Sequence, residues 1–477
     1  MVDHLMSLDK RKGKFVLAFV LSLIAGVLLS YSLINRAYFL LFAVLSVLFT
    51  LAVIKLRMLP LVLILLIIPF VDWAVGYSFL PVQIMWLPEL MSVLFFAQAL
   101  TYKMAEKQRF RTVGLRYALL LLAVTLLSLL FNKSGIVPAL LFLRLLFRYY
   151  LLFLAILNLN FSEKLLRRIN NVLIFIFLVQ LPLAIVKLFI FGQGEASLSL
   201  NSSSLSMISA LIAIAFLFSF YFLYKKKIVY LLGIFAFVGF SIIGGKRAFI
   251  FYLPILLAYL IWLIKKDTGL KPSFIFAAAL FLVISFYFVA RLIPTLNPQR
   301  KIWGDFNLKH IMDYAISYET SVSLTGMPTG RISSTMEIYN SLKRRGLLGF
   351  SLGYGPGIII KTMFSDYDRR DAIRDRFGVE YGINGMNWLG IQVGYLGTVI
   401  YMLIFYVVLR KAYSYFLVEK DPYWHSFALG MAGFCFILII TSLFYDAFFN
   451  NDSVSAFYFY LAAVVVLKKE QHELSRT

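Results

Sequence analysis

The chain has 477 residues, of which 61% are hydrophobic and only 14% charged, and its formal net charge is +23. A soluble domain carries about 25% charged and 45–50% apolar residues, so this composition excludes a water-soluble globular protein and predicts a polytopic membrane protein. The cations form short clusters between apolar runs, as expected for helix ends near anionic lipid, and this argues against nucleic acid as a partner.

An α-helix needs about 20 apolar residues to cross the hydrocarbon core. The apolar runs predict an all-α protein with spans near 15–34, 38–54, 58–78, 83–101, 114–131, 136–157, 171–191, 204–224, 228–244, 247–264, 273–292, 387–409, 424–445 and 453–467. That is about fourteen helices; a count of twelve to fourteen covers the ambiguity at the third, fourth and last. Pro60, Pro69, Pro81 and Pro88 interrupt the third and fourth, where buried turns or a re-entrant segment also fit. The basic stretch Lys10, Arg11, Lys12, Lys14 precedes a run with no small-x-small cleavage site, so that run is expected to be a retained first helix.

Orientation follows from Lys and Arg. With the N-terminus in the cytoplasm, alternate connections hold Lys55 and Arg57; Lys103, Lys107, Arg109 and Arg111; Lys164, Arg167 and Arg168; Lys225, Lys226 and Lys227; Lys265, Lys266 and Lys271; Arg410, Lys411 and Lys420; Lys468 and Lys469. The positive-inside rule then puts both termini inside. The organisation expected is eleven spans over 1–290, one extracytoplasmic loop over 291–386, and three spans with a cytoplasmic tail over 387–477.

That loop is the one long polar stretch: Arg291 to Asn384 contains thirteen Lys or Arg and nine Asp or Glu. Within it, Ser333 to Leu342 predicts a short amphipathic helix, and Asp366 to Arg376 a solvated, charge-dense one. Gly349-Phe-Ser-Leu-Gly-Tyr-Gly-Pro-Gly357 lacks the Gly-Lys-Ser/Thr end of a P-loop and reads as a tight turn or close backbone approach.

Cations that break the inside rule mark candidate chemistry. Arg144 and Arg148 fall inside the sixth span, roughly 12 and 18 Å along it, and four residues apart they share a face. Two readings stay open: structural pairing, for example with Glu89, or an anion site opening to the outer leaflet. Lys246 and Arg247 lie at an outer helix start, where free N–H groups favour an anion. Arg291 ends the eleventh span, and Arg331 follows Gly330 in the loop. Guanidinium forks match phosphate oxygens, so outward-facing arginines in a membrane protein suggest a lipid-linked phosphate or pyrophosphate. One cysteine, Cys435, excludes a disulfide within the chain, and His4, His310, His425 and His472 are too dispersed for a metal cluster. No metal and no cofactor are expected.

Several segments, in order, resemble the bacterial O-antigen ligase and O-antigen polymerase superfamily. Ile84-Met-Trp-Leu-Pro-Glu-Leu90 looks like its early acidic motif. Leu141-Phe-Leu-Arg-Leu-Leu-Phe-Arg-Tyr149 looks like its arginine-bearing helix. Ser241-Ile-Ile-Gly-Gly-Lys-Arg-Ala-Phe249 looks like its serine-x-arginine helix start. Thr329-Gly-Arg-Ile332 with Arg345 to Gly357 looks like its glycine-arginine motif and glycine cluster, and Asn384 to Gly397 like its closing helix. The closing helix of the family usually opens with His-Asn; here Gly382-Ile-Asn-Gly-Met-Asn-Trp388 has no histidine, which favours polymerase over ligase.

The resemblance implies a metal-independent inverting glycosyltransferase at the outer face of the bacterial plasma membrane. Its donor would be an undecaprenyl-pyrophosphate-linked glycan and its acceptor a second glycan, with membrane lipid and a chain-length regulator protein as further partners. Arg247 and Arg331 are then expected to neutralise the leaving pyrophosphate, with Arg144, Arg148, Lys246 and Arg291 supporting. Glu337, Glu380 and His310 are the candidate bases, and Asn384 and Asn387 would orient the acceptor. A ligase acting on lipid A-core, or a flippase for lipid-linked oligosaccharide, are the alternatives.

Overall fold

The computed structural model describes residues 61, 87–159, 161–191, 205–243, 247–268, 280, 283–284, 286–288, 290–301, 303–324, 326–360, 369–443 and 452–474. The first two expected spans, most of the third and Lys246 lie outside these. The described residues form helices and turns; Val322 and Pro328 make an isolated antiparallel bridge, and there is no strand.

In chain order the helices are α1 Leu87–Ala105, α2 Leu115–Asn132, α3 Ile136–Phe147, α4 Tyr150–Asn158, α5 Glu163–Phe191 and α6 Leu205–Ser219. They continue with α7 Ile228–Ile243, α8 Arg247–Thr268, α9 Leu308–Glu319, α10 Arg331–Arg344, α11 Gly346–Leu352, α12 Arg369–Phe377, α13 Gly385–Phe416, α14 Pro422–Ser442 and α15 Asp452–Leu474. Among the described residues four segments are long and apolar enough to cross a membrane: α2, Met207–Tyr224, α13 and α14. The pair α3 and α4 makes a fifth if counted as one bent span.

Apolar residues all round a helix predict a buried one. α14 obeys this, with 78% of its most apolar window buried against 28% for α2, so α14 is central and α2 peripheral. α14 packs tightly on α6 because it presents glycine there: a Cβ on Gly430 would stand 2.6 Å from the Phe216 ring, and one on Gly433 3.3 Å from Ala215 Cβ. Small residues let helix backbones approach in this way. The start of α14 is set by Asp421, whose carboxylate accepts from Tyr423 N and Trp424 N at 3.0 and 3.1 Å, with Pro422 in the first helical position.

One end of the bundle carries a layer of ion pairs. Arg167 reaches Glu163 at 2.6 Å and Asp421 at 2.8 Å. Glu163 also accepts from Trp424 Nε1 and Lys468 Nζ, both at 3.0 Å. Arg111 lies 3.4 Å from Glu470. The turn between α2 and α3 lies at the other end and meets the glycine-rich stretch after α11.

The expected sixth span is corrected. It is two helices, bent by 44° across Arg148 and Tyr149, not one straight helix over 136–157.

Candidate functional site

Glu89 lies in the first turn of α1, where the dipole favours a carboxylate. It meets both arginines of the middle helix. Arg144 grips it as a fork, Nε on Oε2 and Nη2 on Oε1, the latter at 2.9 Å. Arg148 Nη1 stands 3.6 Å from Oε1, with its side chain only 4% exposed. The helix break after Phe147 makes Arg148 the cap residue of α3, and its guanidinium lies 5.4 Å from the ring of Tyr149. The pairing alternative for Arg144 and Arg148 is therefore what the geometry contains. Burying a charge is expensive unless it is paired and hydrogen-bonded; the Glu89 carboxylate hydrogen-bonds Arg144 and supplies Arg148 with a counter-charge at 3.6 Å.

In the polar segment a tight hairpin sets Arg331. Ser323 N donates to Met327 O at 2.7 Å, and Thr329 N and Gly330 N both donate to Ser321 O. This folds the start of α10 back on the end of α9, so Arg331 Nη1 meets Glu319 Oε1 at 2.6 Å and lies 5.7 Å from the Tyr318 ring. One turn along α10, the Thr335 hydroxyl donates to Arg331 O at 2.7 Å. The same oxygen accepts from Asn387 Nδ2 at 2.7 Å and Asn384 Nδ2 at 3.2 Å, which uses its full hydrogen-bonding capacity. Asn384 also caps α13, its side-chain oxygen accepting from Asn387 N at 2.8 Å. Both asparagines are buried. They lash α13 to α10 beside Arg331.

The candidate bases differ in surroundings. Glu337 is tied at 2.7 Å to Arg344, which is 70% exposed, a surface pair. Glu380 is half-buried, and its backbone N donates to Pro328 O at 3.0 Å, at the foot of the Arg331 hairpin. His310 packs beside a separate small core of Ala290, Ile293, Leu296 and Ile311, its ring stacked on Tyr314 and its Nε2 buried with no hydrogen-bond partner among the described residues. Arg291 fastens that same core: Nε donates to Gly304 O at 2.9 Å, and its guanidinium lies 5.2 Å from Trp303 and 5.6 Å from Tyr287. Arg247 opens α8, but its side chain lies outside the described residues. No group of three or more His, Cys, Asp or Glu among the described residues could hold a metal.

A glycine knot joins the arginine helix to the polar segment. Gly353 has φ 72° and Gly394 φ 67°, the left-handed region that glycine tolerates. A Cβ on Gly394 would lie 2.0 Å from Ser351 O, and one on Gly357 2.2 Å from the Pro138 backbone in the first turn of α3. The kink at Gly394 leaves helix carbonyls for outside donors: Tyr354 N bonds Ile391 O at 2.7 Å, and Ser128 Oγ bonds Gln392 O at 3.1 Å. The Gln392 side chain accepts from Gly357 N at 3.0 Å. Trp388, one turn into α13, packs at 5.6 Å and a tilt of 32° against Phe142, two residues before Arg144.

Glu319, Thr335 and Gly394 were not singled out by sequence reasoning. Gln392 carried a legible signal, a polar side chain in an apolar run; Glu319 carried none, standing twelve residues from its partner. No protein-family model, no curated protein and no solved structure matches this chain.

Proposed function

We propose that this chain is a membrane glycosyltransferase of the O-antigen polymerase kind, in the bacterial plasma membrane. Both termini face the cytoplasm, and the polar segment Arg291 to Asn384 faces outward. An acceptor sugar hydroxyl attacks the anomeric carbon of a glycan carried on undecaprenyl pyrophosphate. The new glycosidic bond forms as the bond to pyrophosphate breaks, and a carboxylate takes the hydroxyl proton. Glu380 is the best-placed base, since it adjoins the hairpin from which Arg331 starts.

One observation carries this reading: a half-buried and a buried arginine, Arg144 and Arg148, sharing one carboxylate in an apolar bundle, on a helix whose first turn is fastened through glycines to a cation-rich polar segment. Preorganised cations aimed at a developing pyrophosphate charge supply large rate enhancements. Arg331 and Arg247 take that role, with Arg144 and Arg148 holding the helix below. Membrane lipid and a chain-length regulator protein are the further partners of this reading.

The test is reconstitution of the purified protein with a lipid-linked oligosaccharide, with and without EDTA. Longer glycans with release of lipid pyrophosphate, insensitive to EDTA, are expected. Transfer only to lipid A-core would make it a ligase, and movement of intact substrate across the bilayer a flippase. Loss of activity in EDTA with recovery on adding magnesium would overturn the metal-independent mechanism.

A further inference from the structure

Helix α10 has a wider apolar arc than the protein covers. Ser334, Ile338, Ser341 and Leu342 form its buried face. Next to that face, Ile332, Met336 and Tyr339 are 46%, 62% and 41% exposed, at the spacing of one helix stripe. Lys343 continues the stripe, while Glu337, Asn340 and Arg344 fall on the far side. The following helix, α11, is more extreme: Leu347 is 80% and Leu348 57% exposed.

The surroundings say what covers these side chains. α11 packs on α2 and α13, two of the helices long and apolar enough to cross a membrane. On α2 the exposed face ends in Leu127, Leu130 and Phe131, and Arg345, which leads into α11, has its guanidinium 6.0 Å from the Phe131 ring. On α13 Leu396 and Val399 are exposed, and neighbouring Tyr395 stacks on Phe350 of α11 at 4.7 Å and lies 6.3 Å from Tyr339. The stripe on α10 and the leucines of α11 therefore continue the faces that α2 and α13 would turn to lipid. A helix with an apolar face and cations beside it lies in a membrane interface. Lys343 stands where such a helix keeps a cation, its stem along the apolar surface and its head at the level of lipid phosphates; Arg344 pairs with Glu337 on the far side, and Arg345 donates to Gly353 O at 2.8 Å.

We infer that α10 and α11 lie in the interface of the bilayer, with the Ile332, Met336, Tyr339 stripe and Leu347 covered by lipid acyl chains. The first turn of α10 bears Arg331, so this seats that guanidinium at headgroup depth. The inference rests on the membrane reading of α2 and α13 and not on any transferase activity.

The test uses the full chain in a Cys435→Ala background, reconstituted in vesicles of phosphatidylethanolamine and phosphatidylglycerol. Nitroxide labels are placed singly at Met336→Cys, Tyr339→Cys and Leu347→Cys, and at Asn340→Cys as the polar-face control. All four sites are exposed; Tyr339→Cys gives up ring contacts with Phe350 and Tyr395, whereas Met336→Cys and Leu347→Cys keep them and carry the reading if the Tyr339 variant is perturbed. At the first three, collision with oxygen should exceed collision with a water-soluble nickel chelate several-fold, and at Asn340→Cys the order should reverse. Chelate access at all four sites would overturn the inference. So would low access to both reagents at the stripe, which would mean that protein covers it. Because no turnover is measured, a failed activity assay leaves this result standing, and a failed depth measurement leaves the transferase reading standing.

Discussion

Arg144 and Glu89, fifty-five residues apart, form a two-pronged ion pair within the bundle, and Arg148 closes on the same carboxylate from the other side of a helix break. Removing one partner of a fully buried pair strands the other's charge, at about 3–5 kcal/mol; with Arg144 30% exposed the cost here falls below that range. Glu89→Gln should therefore lower the thermal unfolding midpoint in detergent, and Arg144→Met in that background should restore part of the loss. Unchanged stability of Glu89→Gln would show that other groups carry these arginines.

Arg247→Ala and Arg331→Ala should each lower transferase activity by roughly 10²-fold or more, about 2.7–4 kcal/mol, the scale of removing one preorganised donor. Lysine at either position should rescue only partly, because a point charge lacks the fork. The Glu319 pair offers a control. If Arg331 only fastens α9 to α10, Glu319→Ala should cost as much as Arg331→Ala; if it meets the leaving group, Glu319→Ala should cost far less. Arg369→Ala and Arg370→Ala, in the charge-dense helix α12, should keep near-normal rates.

The knot makes a sharp contrast between neighbouring glycines. Gly394→Ala forces a side chain into the left-handed region, at about 1–2 kcal/mol before any clash, and its Cβ would also meet Ser351 O at 2.0 Å. Gly390→Ala meets nothing closer than 3.9 Å. The yield of monodisperse protein should fall for the first and hold for the second. Equal yields would mean the kink adapts.

Burial opposes ionisation of Glu163, yet hydrogen bonds from Trp424, Lys468 and Arg167 outweigh it and hold its carboxyl at about 2, below its ordinary 4.5. A lowered folded-state value stabilises the fold above the ordinary value, and that contribution fades as pH falls from about 4.5 toward 2. Unfolding scans across this window should show stability dropping with acid, and Glu163→Gln should flatten the slope. The same slope in both proteins would assign acid sensitivity to other carboxylates.

The helical character of the described residues was legible from continuous apolar runs of about 20 residues, which fit membrane helices and not the alternating strands of a barrel. The glycine-rich stretch was legible as a close approach, since Gly-x-Gly-Pro-Gly has little other use. Its partner Gly394 was not: in the sequence it sits in an apolar run that reads as uninterrupted helix, and the kink arises only when Ser351 and Gly353 press against it. The break at Arg148 was hidden for a similar reason. Local periodicity continues through it, and the contact with Glu89 is remote in sequence. The resemblance implies that Asn384 and Asn387 orient an acceptor; what the sequence does not disclose is that their Nδ2 groups meet Thr335, because capping and binding draw on the same residue types.

The ion-pair layer at the far end of the bundle also constrains the order of assembly. Glu163 is made early, but its partners Trp424 and Lys468 are made 261 and 305 residues later. Until α14 brings Asp421 and Trp424, Arg167 and Glu163 hold only each other across a single helical turn, and Lys468 of the final helix completes the set. The last helix thus acts as the closing member of the bundle, and a chain cut short before Lys468 would leave an acidic side chain missing a donor, a recognisable flaw for membrane quality control.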